Sequence, residues 1–204
     1  MEKIKIKTII AACILSLLFV ACSKDDNPNE PKGNQLEKNF PFLKVGNSWT
    51  MQDYVVNWDG IDTNTFTITL NQKVDTIINS TKYSLYYAAD DEYAHPVFIV
   101  DDSTVGVDNM IPMFWKNYTV GQSWDIQSDD QYDINRREVV SVNETITVPA
   151  GTFNNVIKII HFHYDSDNDN GYEDIWWIRN DVGIIKHISA GGGNWEYELK
   201  SKNF

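Results

Sequence analysis

The sequence beyond residue 22 contains no cysteine. The two cysteines of the chain are Cys13 and Cys22, and both lie within or directly after an apolar amino-terminal run. The body of the protein can therefore form no disulfide, no thiolate metal site and no cysteine nucleophile. Leu and Ala are also scarce there, and no apolar pattern with a period of 3.6 residues extends beyond a few positions. These absences exclude several classes of enzyme and argue against a helical fold.

Positive charge is in short supply as well. The chain has 17 Lys and Arg against 29 Asp and Glu, which gives a formal net charge of −12. Residues 1–21 hold three lysines and one glutamate, so their removal leaves −14. This balance argues against a nucleic acid or an anionic membrane surface as partner. No G-x-S-x-G motif and no phosphate-binding glycine loop occurs, so the sequence predicts no catalytic residue and no cofactor.

Residues 1–21 have the pattern of a signal peptide. Three lysines precede an almost wholly apolar run from Thr8 to Ala21. As a helix this run would cover roughly 21 Å, which is short of the ~30 Å hydrocarbon core of a bilayer. A basic segment, a short apolar core and a small boundary residue are typical of secretory signals. The alternative is an uncleaved anchor helix.

The boundary resembles the lipobox of bacterial lipoproteins. Its residues are Phe19-Val20-Ala21-Cys22, and Phe19 departs from the Leu that is usual at the first position. The resemblance implies that Cys22 becomes the new amino terminus and carries a thioether-linked diacylglycerol and an amide-linked acyl chain. The membrane would then be a partner through these acyl chains, since two or three chains hold a protein far more firmly than one. The alternative is a secreted protein with a chance cysteine.

Residues 22–39 are predicted to form a flexible polar tether. The stretch contains Pro28, Pro31 and Gly33, and almost no apolar side chain that could order it. Its mean reach as a coil is on the order of 20–25 Å. Lys24-Asp25-Asp26 resembles the acidic export signal of Bacteroidetes lipoproteins. That resemblance implies display at the cell surface, with the periplasmic face of the outer membrane as the alternative.

Residues 40–204 are predicted to form a single all-β domain. Phe66, Ile68 and Leu70 alternate with threonines after the turn pair Asp59-Gly60, as in a strand with one buried face. About ten such runs follow one another, and the one weak helical candidate, near Leu36–Leu43, is interrupted by Pro41. We therefore expect an antiparallel meander of about ten strands that forms a curved sheet, either barrel-like or two-layered.

Two later strands are predicted in more detail. Val140, Val142, Ile146 and Val148 are expected to share one face of their strand, because their spacing is even. In the last run Trp195, Tyr197 and Leu199 alternate with charged residues, which predicts another two-faced strand.

A short sequence occurs twice. L-K-V-G-N-S-W-T, Leu43 to Thr50, returns as Y-T-V-G-Q-S-W-D, Tyr118 to Asp125. In each copy a glycine turn precedes a tryptophan, so we expect Trp49 and Trp124 to anchor the core. Duplication of a half-barrel is one explanation of the repeat.

The body also resembles a group of Bacteroidetes lipoproteins without established activity. The shared features are Gly46-Asn47-Ser48-Trp49, the hairpin Val148 to Phe153, and an aromatic strand that leads into V-G-I-I-K, Val182 to Lys186. The resemblance covers most of residues 40–190 and implies a fold and an envelope location. It implies no catalytic activity, ligand or cofactor.

The acidic stretch Asp165–Asp174 is the sharpest candidate for a metal site. Its first aspartates have the alternate spacing of a calcium loop. The sixth position, where glycine belongs, is Asn170, and the twelfth, normally Glu, is Trp176. We therefore predict a solvated hairpin loop, with a weak, irregular Ca²⁺ site as the alternative.

The histidines are weaker candidates. His161 and His163 project from one face of a strand, as a pair of metal ligands would, but no third ligand is identifiable. We expect both to be exposed strand residues, and His187 to stand alone in its strand. The sequence accordingly predicts no metal site.

Seven tryptophans remain to be explained. Trp58, Trp115 and the pair Trp176-Trp177 could include exposed platforms for sugar rings, although most of the seven should be core. Neighbours in a strand face opposite sides, so one tryptophan of the pair is expected to be buried and the other exposed.

Three functional hypotheses follow. The leading one is a non-catalytic binding or structural module at the outer membrane, with a glycan or an envelope protein as possible partner. The first alternative, a carbohydrate-binding accessory protein, predicts exposed coplanar aromatic rings on one face. The second, a periplasm-facing carrier of an apolar ligand, predicts an open apolar cavity within the curved sheet.

Overall fold

The computed structural model of the chain describes residues 38–57, 59–88, 96–100, 104–107, 111–126, 134–165, 170–189 and 195–204. Nearly all of this backbone lies in strands. Lys38 and Asn39 are the helical residues of the described ranges, so the described part of the helical candidate is one short turn before Pro41. Within the same ranges, no helix is long and apolar enough to cross a membrane.

The described residues form twelve strands. Those of the first half are β1 (Ser48–Asn57), β2 (Gly60–Ile78), β3 (Thr81–Ala88), β4 (Pro96–Val100), β5 (Thr104–Val107) and β6 (Ile111–Trp115). Those of the second half are β7 (Ser123–Asp125), β8 (Ile134–Val148), β9 (Gly151–Asp165), β10 (Asn170–Arg179), β11 (Gly183–Ser189) and β12 (Trp195–Lys202).

All the strands belong to one antiparallel sheet. Its order is β6-β5-β4-β3-β2-β1-β12-β11-β10-β9-β8-β7, so each half of the chain is a six-stranded meander and β1 joins β12. The predicted all-β antiparallel meander is confirmed. The number of strands exceeds the expected ten for two reasons. The stretch from Thr104 to Trp115 contains two strands, β5 and β6, and β7 has three residues, too few to show alternation in the sequence.

The repeated sequence forms the same turn twice. Gly46 and Gly121 both have positive φ, at 95° and 84°, a region that favours glycine. The amide of Gly46 donates to the carbonyl of Leu70, and that of Gly121 donates to the carbonyl of Val139. In each copy the same partner residue donates back, to the residue after the glycine. The two turns therefore fix β1 on β2 and β7 on β8 in the same way.

The turns deliver the two predicted tryptophan anchors into the core. Trp49 is buried, with 4% of its surface exposed, and Trp124 is partly buried against the core. Trp124 also touches Trp115, the last residue of β6, with ring centroids 4.4 Å apart. Because β6 and β7 are the two edge strands, this contact shows that the sheet curves until its edges come close together.

The core centre is aromatic and depends on two of the sequence features shared with the Bacteroidetes lipoproteins. Phe42 lies within 5.0–6.0 Å, centroid to centroid, of the rings of Trp49, Phe98 and Phe114. The indole of Trp49 donates a 2.7 Å hydrogen bond to the carbonyl of Val182, in the turn between β10 and β11. Gly183 follows with φ +88°, and a Cβ there would lie 3.3 Å from Trp49 Nε1.

Strand β8 departs from the expected even spacing. Its pairing with β9 shifts register three times between Val139 and Ile146. Val139 is fully buried, whereas Val140 is only partly buried and lies outside the core cluster that Val142 and Ile146 join. The prediction that Val140 shares the core face is wrong, because a bulge between Val139 and Ser141 reverses the alternation of the strand.

Candidate functional site

Four neighbouring strands carry polar side chains at matching positions on the inner face of the sheet. Cross-strand pairing places Arg137 opposite His161, and His161 opposite Asp174. Asp174 in turn lies opposite Ser189. His187 precedes Ser189 by two residues and therefore faces the same side. We call Arg137, His161, Asp174, His187 and Ser189 the inner polar cluster.

His161 and Asp174 form its centre. His161 Nδ1 lies 3.5 Å from Asp174 Oδ2, and its Nε2 is hydrogen-bonded to Asn135 Oδ1. The His161 side chain is only 11% exposed. The expectation of an exposed histidine is wrong here, because the alternation that buries Ile159 also turns His161 inward.

Asp174 is ionised despite its burial. Burial by itself would raise the pKa of Asp174, but hydrogen bonds from His161 and Ser189, with the charge interactions of His187 and His161, outweigh it and lower the pKa. A carboxylate is therefore held under the inner face at neutral pH.

His187 is the one histidine of β11 and packs against aromatic rings of the two neighbouring strands. Its ring stacks on Trp176, with centroids 3.6 Å apart and planes inclined by 24°, and it lies 4.7 Å from the ring of Tyr197. Its Nε2 is 4.0 Å from Asp174 Oδ1, beyond hydrogen-bond distance. Burial lowers the pKa of His187 to about 4; the Asp174 charge opposes this shift, and Arg137 and His161 add to it. The side chain is therefore a neutral imidazole at pH 7.

The ionisable side chains of the inner polar cluster face other groups of the protein. Both nitrogens of His161 face Asp174 or Asn135, and His187 is 5% exposed. Within the described residues, no three His, Cys, Asp or Glu side chains are arranged to hold a metal ion. The inner polar cluster lies in the wall of the sheet, and its ionisable groups make the stability of the sheet depend on pH.

The predicted acidic loop is only partly described. Asp165 ends β9 and pairs with Asn170, the first residue of β10, so the two strands form the expected hairpin. Residues 166–169 lie outside the described residues. Asp174 belongs to β10 and not to the loop, and its carboxylate faces histidines. Calcium binding by the rest of the stretch stays a prediction.

The second candidate surface is an open depression of about 210 Å³ beside the β1–β2 hairpin. Val56, Ile61 and Trp195 are 59%, 66% and 54% exposed, an unusual concentration of large apolar side chains. We call this surface the Trp195 depression; its lining residues are Tyr54, Val56, Ile61, Ile188, Trp195 and Glu196.

Strand pairing explains how most of these residues meet. Val56 pairs with Ile61, and Glu196 pairs with both Tyr54 and Ile188. All five therefore share the outer face of the sheet, opposite the inner polar cluster. Trp195 is the first residue of β12, at the end of the sheet. From this position the Trp195 ring reaches the rim of the depression.

A charged network lies along one side of the depression. Lys186 Nζ donates to Glu196 and, at 2.8 Å, to Glu198. Burial alone would lower the pKa of Lys186, but these two carboxylates outweigh it and raise the pKa. Tyr54 donates a 3.4 Å hydrogen bond to Glu198, and burial, followed by the negative charge of Glu198, raises the pKa of Tyr54. At neutral pH Lys186 is therefore charged and Tyr54 keeps its proton.

The tryptophans chosen from the sequence occupy other positions. Trp176 is buried and Trp177 is partly buried on the opposite face, as expected for neighbours in a strand. Trp177 lies between the ammonium groups of Lys158 and Lys186 and donates to Glu144. Neither ring of the pair is an open platform. Trp115 packs against Tyr118 and Trp124, whereas Trp58 lies outside the described residues.

The exposed platform is Trp195, which the sequence did not single out. Its strand alternates as predicted at the other end, where Leu199 is fully buried, but burial decreases through Tyr197 to Trp195. The sequence signal for this exposure is the position of Trp195, which begins a strand directly after Gly191-Gly192-Gly193-Asn194. A residue at the start of a strand has no preceding strand residue whose side chain could cover its ring.

The signal peptide, Cys22 and most of the tether lie outside the described residues, so lipid attachment stays a prediction.

The sequence matches no protein-family model and no curated protein sequence. Two crystal structures are similar to the chain. One is of a Bacteroides fragilis protein named as a proposed exported protein with a YmcC-like fold, at 13% identity and a TM-score of 0.47, with 79% of this chain and 97% of that chain covered. The other is of a Parabacteroides distasonis protein named as a proposed lipoprotein, at 13% identity and a TM-score of 0.43, with 80% and 98% covered. At this level of similarity, neither structure says what this chain binds.

Proposed function

We propose that the protein is a lipoprotein of the bacterial cell envelope whose β domain is a non-catalytic binding module. Its location is supported by the lipobox-like segment that ends at Cys22 and by the polar tether after it. In this proposal the acyl chains on Cys22 hold the protein on the outer membrane and the tether lets the domain reach a ligand. The acidic segment after Cys22 favours the cell surface over the periplasmic face.

The observation that carries the binding function is the exposure of Trp195. A large indole that is 54% exposed, beside two more exposed apolar side chains, stays in water at a cost unless something covers it. Trp and Tyr are also the residue types that most often dominate binding energies. The Trp195 depression is therefore the surface at which we place the ligand.

A non-catalytic role is supported by the inner polar cluster. A general acid or base needs a nitrogen or oxygen that can reach the substrate. His161 has both nitrogens within reach of protein partners, and His187 is buried against Trp176. These groups fit a structural role better than proton transfer.

An apolar carrier is the less favoured alternative. The curved sheet would need an open apolar interior, but Phe40, Phe42 and Leu43 are fully buried and fill the described core together with Trp49. Among the described residues, Val56 and Ile61, the exposed aliphatic side chains of the Trp195 depression, lie on the outer face instead.

Site-specific photocrosslinking in cells tests the binding function without knowledge of the ligand. The full chain would carry p-benzoylphenylalanine in place of Val56, at the rim of the depression. Ile77, which is 72% exposed in another hairpin, provides the matched control position. We expect a discrete crosslinked product from position 56 that is absent at position 77. Equal labelling at the two positions, or none at position 56, would contradict the proposal.

A further inference from the structure

We propose that the Trp195 depression holds one ring of an uncharged saccharide. This inference rests on the proposed binding function and narrows it to a class of ligand. A sugar ring has an apolar face of C–H groups and a rim of hydroxyl groups. It therefore fits a site that combines an aromatic surface with a hydrogen-bond acceptor beside it.

The apolar part of the site has the right extent for one ring. The depression measures about 210 Å³, below the roughly 300–1,000 Å³ usual for sites that enclose a whole small molecule. Its aromatic residues are Trp195 and Tyr54, and its aliphatic residues are Val56, Ile61 and Ile188. These side chains can cover one face of a ring while the rest of a longer chain stays in solvent.

The polar part is a carboxylate with a fixed position. Glu196 lines the depression and accepts a hydrogen bond from Lys186, which also binds Glu198. A carboxylate oxygen held in this way accepts from a ligand hydroxyl without first losing the freedom of a mobile side chain. A hydrogen bond to a charged group is stronger than one between neutral groups, and it can orient a ring that stacking alone would leave free to rotate.

Charge decides between neutral and anionic sugars. Lys186 is shared by two carboxylates, so Lys186, Glu196 and Glu198 together keep a net negative charge beside the depression. The whole chain carries −12. A saccharide with carboxylate or sulfate groups would be repelled, whereas a neutral one would not.

A protein partner is less well supported by the described surface. A stable interface usually has about 20–30 residues on each side. The exposed large apolar side chains at the depression are Val56, Ile61 and Trp195, while Phe66 and Ile77 lie elsewhere on the hairpins. A small apolar contact with one hydrogen-bonding carboxylate fits a small rigid ligand better than a broad protein surface.

Titration of the full chain in detergent micelles with defined oligosaccharides tests the inference. The probes are neutral gluco-, manno-, galacto- and xylo-oligosaccharides, together with uronic-acid oligosaccharides of similar length. Binding is followed by intrinsic tryptophan fluorescence and by calorimetry. We expect at least one neutral series to bind at micromolar to millimolar concentrations, and the uronic-acid series to bind at least about tenfold more weakly.

Three variants locate the site. Trp195→Ala should weaken binding at least about tenfold, and Glu196→Gln should weaken it about tenfold, by loss of the charged acceptor. Ile77→Ala, at an equally exposed apolar position elsewhere, should bind like the wild type. Far-ultraviolet circular dichroism verifies that each variant is folded.

The outcomes separate the two proposals. If no neutral series binds at millimolar concentrations while position 56 still crosslinks to an envelope component, the saccharide inference is wrong and the binding function stands. If sugars bind but Trp195→Ala and Glu196→Gln leave affinity unchanged, the site is wrong. If neither sugar binding nor crosslinking occurs, both proposals fail.

Discussion

At the scale of single residues, His187 shows how an ionisable group can be kept in a sheet without a charged partner of its own. Its ring stacks on Trp176 of β10, and its Nε2 lies 4.0 Å from the Asp174 carboxylate. Since burial outweighs the attraction of that carboxylate, the folded protein holds the ring neutral. The unfolded chain has no such preference and takes up the proton more readily.

This difference predicts how stability changes with pH. The pKa of His187 is about 4 in the folded protein against 6.5 in the unfolded chain, so the unfolded chain binds more protons between these values. The contribution is therefore fully present above about pH 6.5 and is lost as the pH falls towards 4, by about 3 kcal/mol. Asp174, whose folded pKa is lowered, adds a further loss below its ordinary value.

His187→Phe should flatten the pH dependence, because the ring is kept and its titration is removed. Urea unfolding between pH 7 and pH 4 measures the effect. Ile185→Val, at a buried position of the same strand, is the control, and should lower stability by about 0.5–1.5 kcal/mol equally at every pH. Parallel curves for wild type and His187→Phe would show that His187 does not titrate between folded and unfolded states.

Gly183 offers a second prediction at this scale. Its φ of +88° is one that other residues rarely adopt, and an added Cβ would lie 3.3 Å from Trp49 Nε1. Gly46 has a similar φ of +95° but no neighbour within 4 Å of its added Cβ. Gly46→Ala should therefore cost only the backbone strain, about 1–2 kcal/mol. Gly183→Ala should cost clearly more, because it also pushes on the Trp49 indole.

Chemical denaturation of the two glycine variants checks the difference. Near-ultraviolet circular dichroism of the tryptophans should change for Gly183→Ala and not for Gly46→Ala. Equal loss of stability, with unchanged spectra, would mean that the contact with Trp49 is relieved at no cost.

Residues such as Trp49 were predictable from sequence because their cause is local. A glycine turn three positions before a tryptophan fixes both the direction of the chain and the face that the ring enters. The inner polar cluster has no such local cause. His161, Asp174 and His187 come from three strands, and only the register of β9, β10 and β11 brings them together. Their inward positions follow from alternation, but their contacts do not.

At the scale of elements, the two edge strands, β6 and β7, contact each other through side chains. The described residues of β6 and β7 form no ladder with each other, and their rings Trp115 and Trp124 meet at 4.4 Å. Asn180, in the turn after β10, adds a 2.8 Å hydrogen bond to the carbonyl of Trp115. Edge strands held in this way should open before the central strands do.

Trp124→Leu should therefore act locally. Hydrogen exchange at the backbone amides of β6 and β7 should become at least about tenfold faster, since loss of the aromatic contact removes one to several kcal/mol. Exchange in β1 and β12, at the centre of the sheet, should change little under native conditions. A uniform acceleration in all strands would show instead that the edges and the centre unfold as one unit.

Two strands departed from the sequence prediction because their side chains do not alternate over a sufficient length. Strand β7 has three residues, too few to display alternation, and it is held in place by the turn at Gly121. Strand β8 is long enough, but its three register shifts disrupt the spacing on which the prediction of its buried face rested. Bulges of this kind depend on the partner strand and leave no regular mark in the sequence.

At the scale of the whole molecule, the described residues form two six-stranded meanders that start with the same turn. In each, a V-G-x-S-W segment pairs with the strand after it, and the first strand of one half joins the last strand of the other through β1 and β12. The equivalent pair at the other end is β7 and β6, which meet only through side chains. This arrangement favours duplication of an ancestral half as the origin of the repeat. Among the described residues the inner polar cluster belongs to the second half alone: Arg137, two residues before Val139, corresponds to Ile68, two residues before Leu70.

The proposed location of the whole molecule depends on a single sulfur atom. Cys22 follows a short apolar run and is the one cysteine placed for lipid attachment, whereas Cys13 lies inside that run. Expression of the full chain in a bacterial host with a radioactive fatty acid should label the protein. The labelled protein should enter the detergent phase on Triton X-114 partition, since each buried CH₂ contributes about 0.8 kcal/mol to membrane binding.

Cys22→Ala should abolish the label, and Cys13→Ala should keep it. The two variants replace the same residue type near the same cleavage boundary, so a general effect of the substitution on export would appear in both. Loss of the label with Cys22→Ala alone places the anchor at the boundary between signal and tether. A label that persists in Cys22→Ala would show that the acyl chain is attached at another position, and Cys22 would then not be the residue that holds the β domain on the membrane.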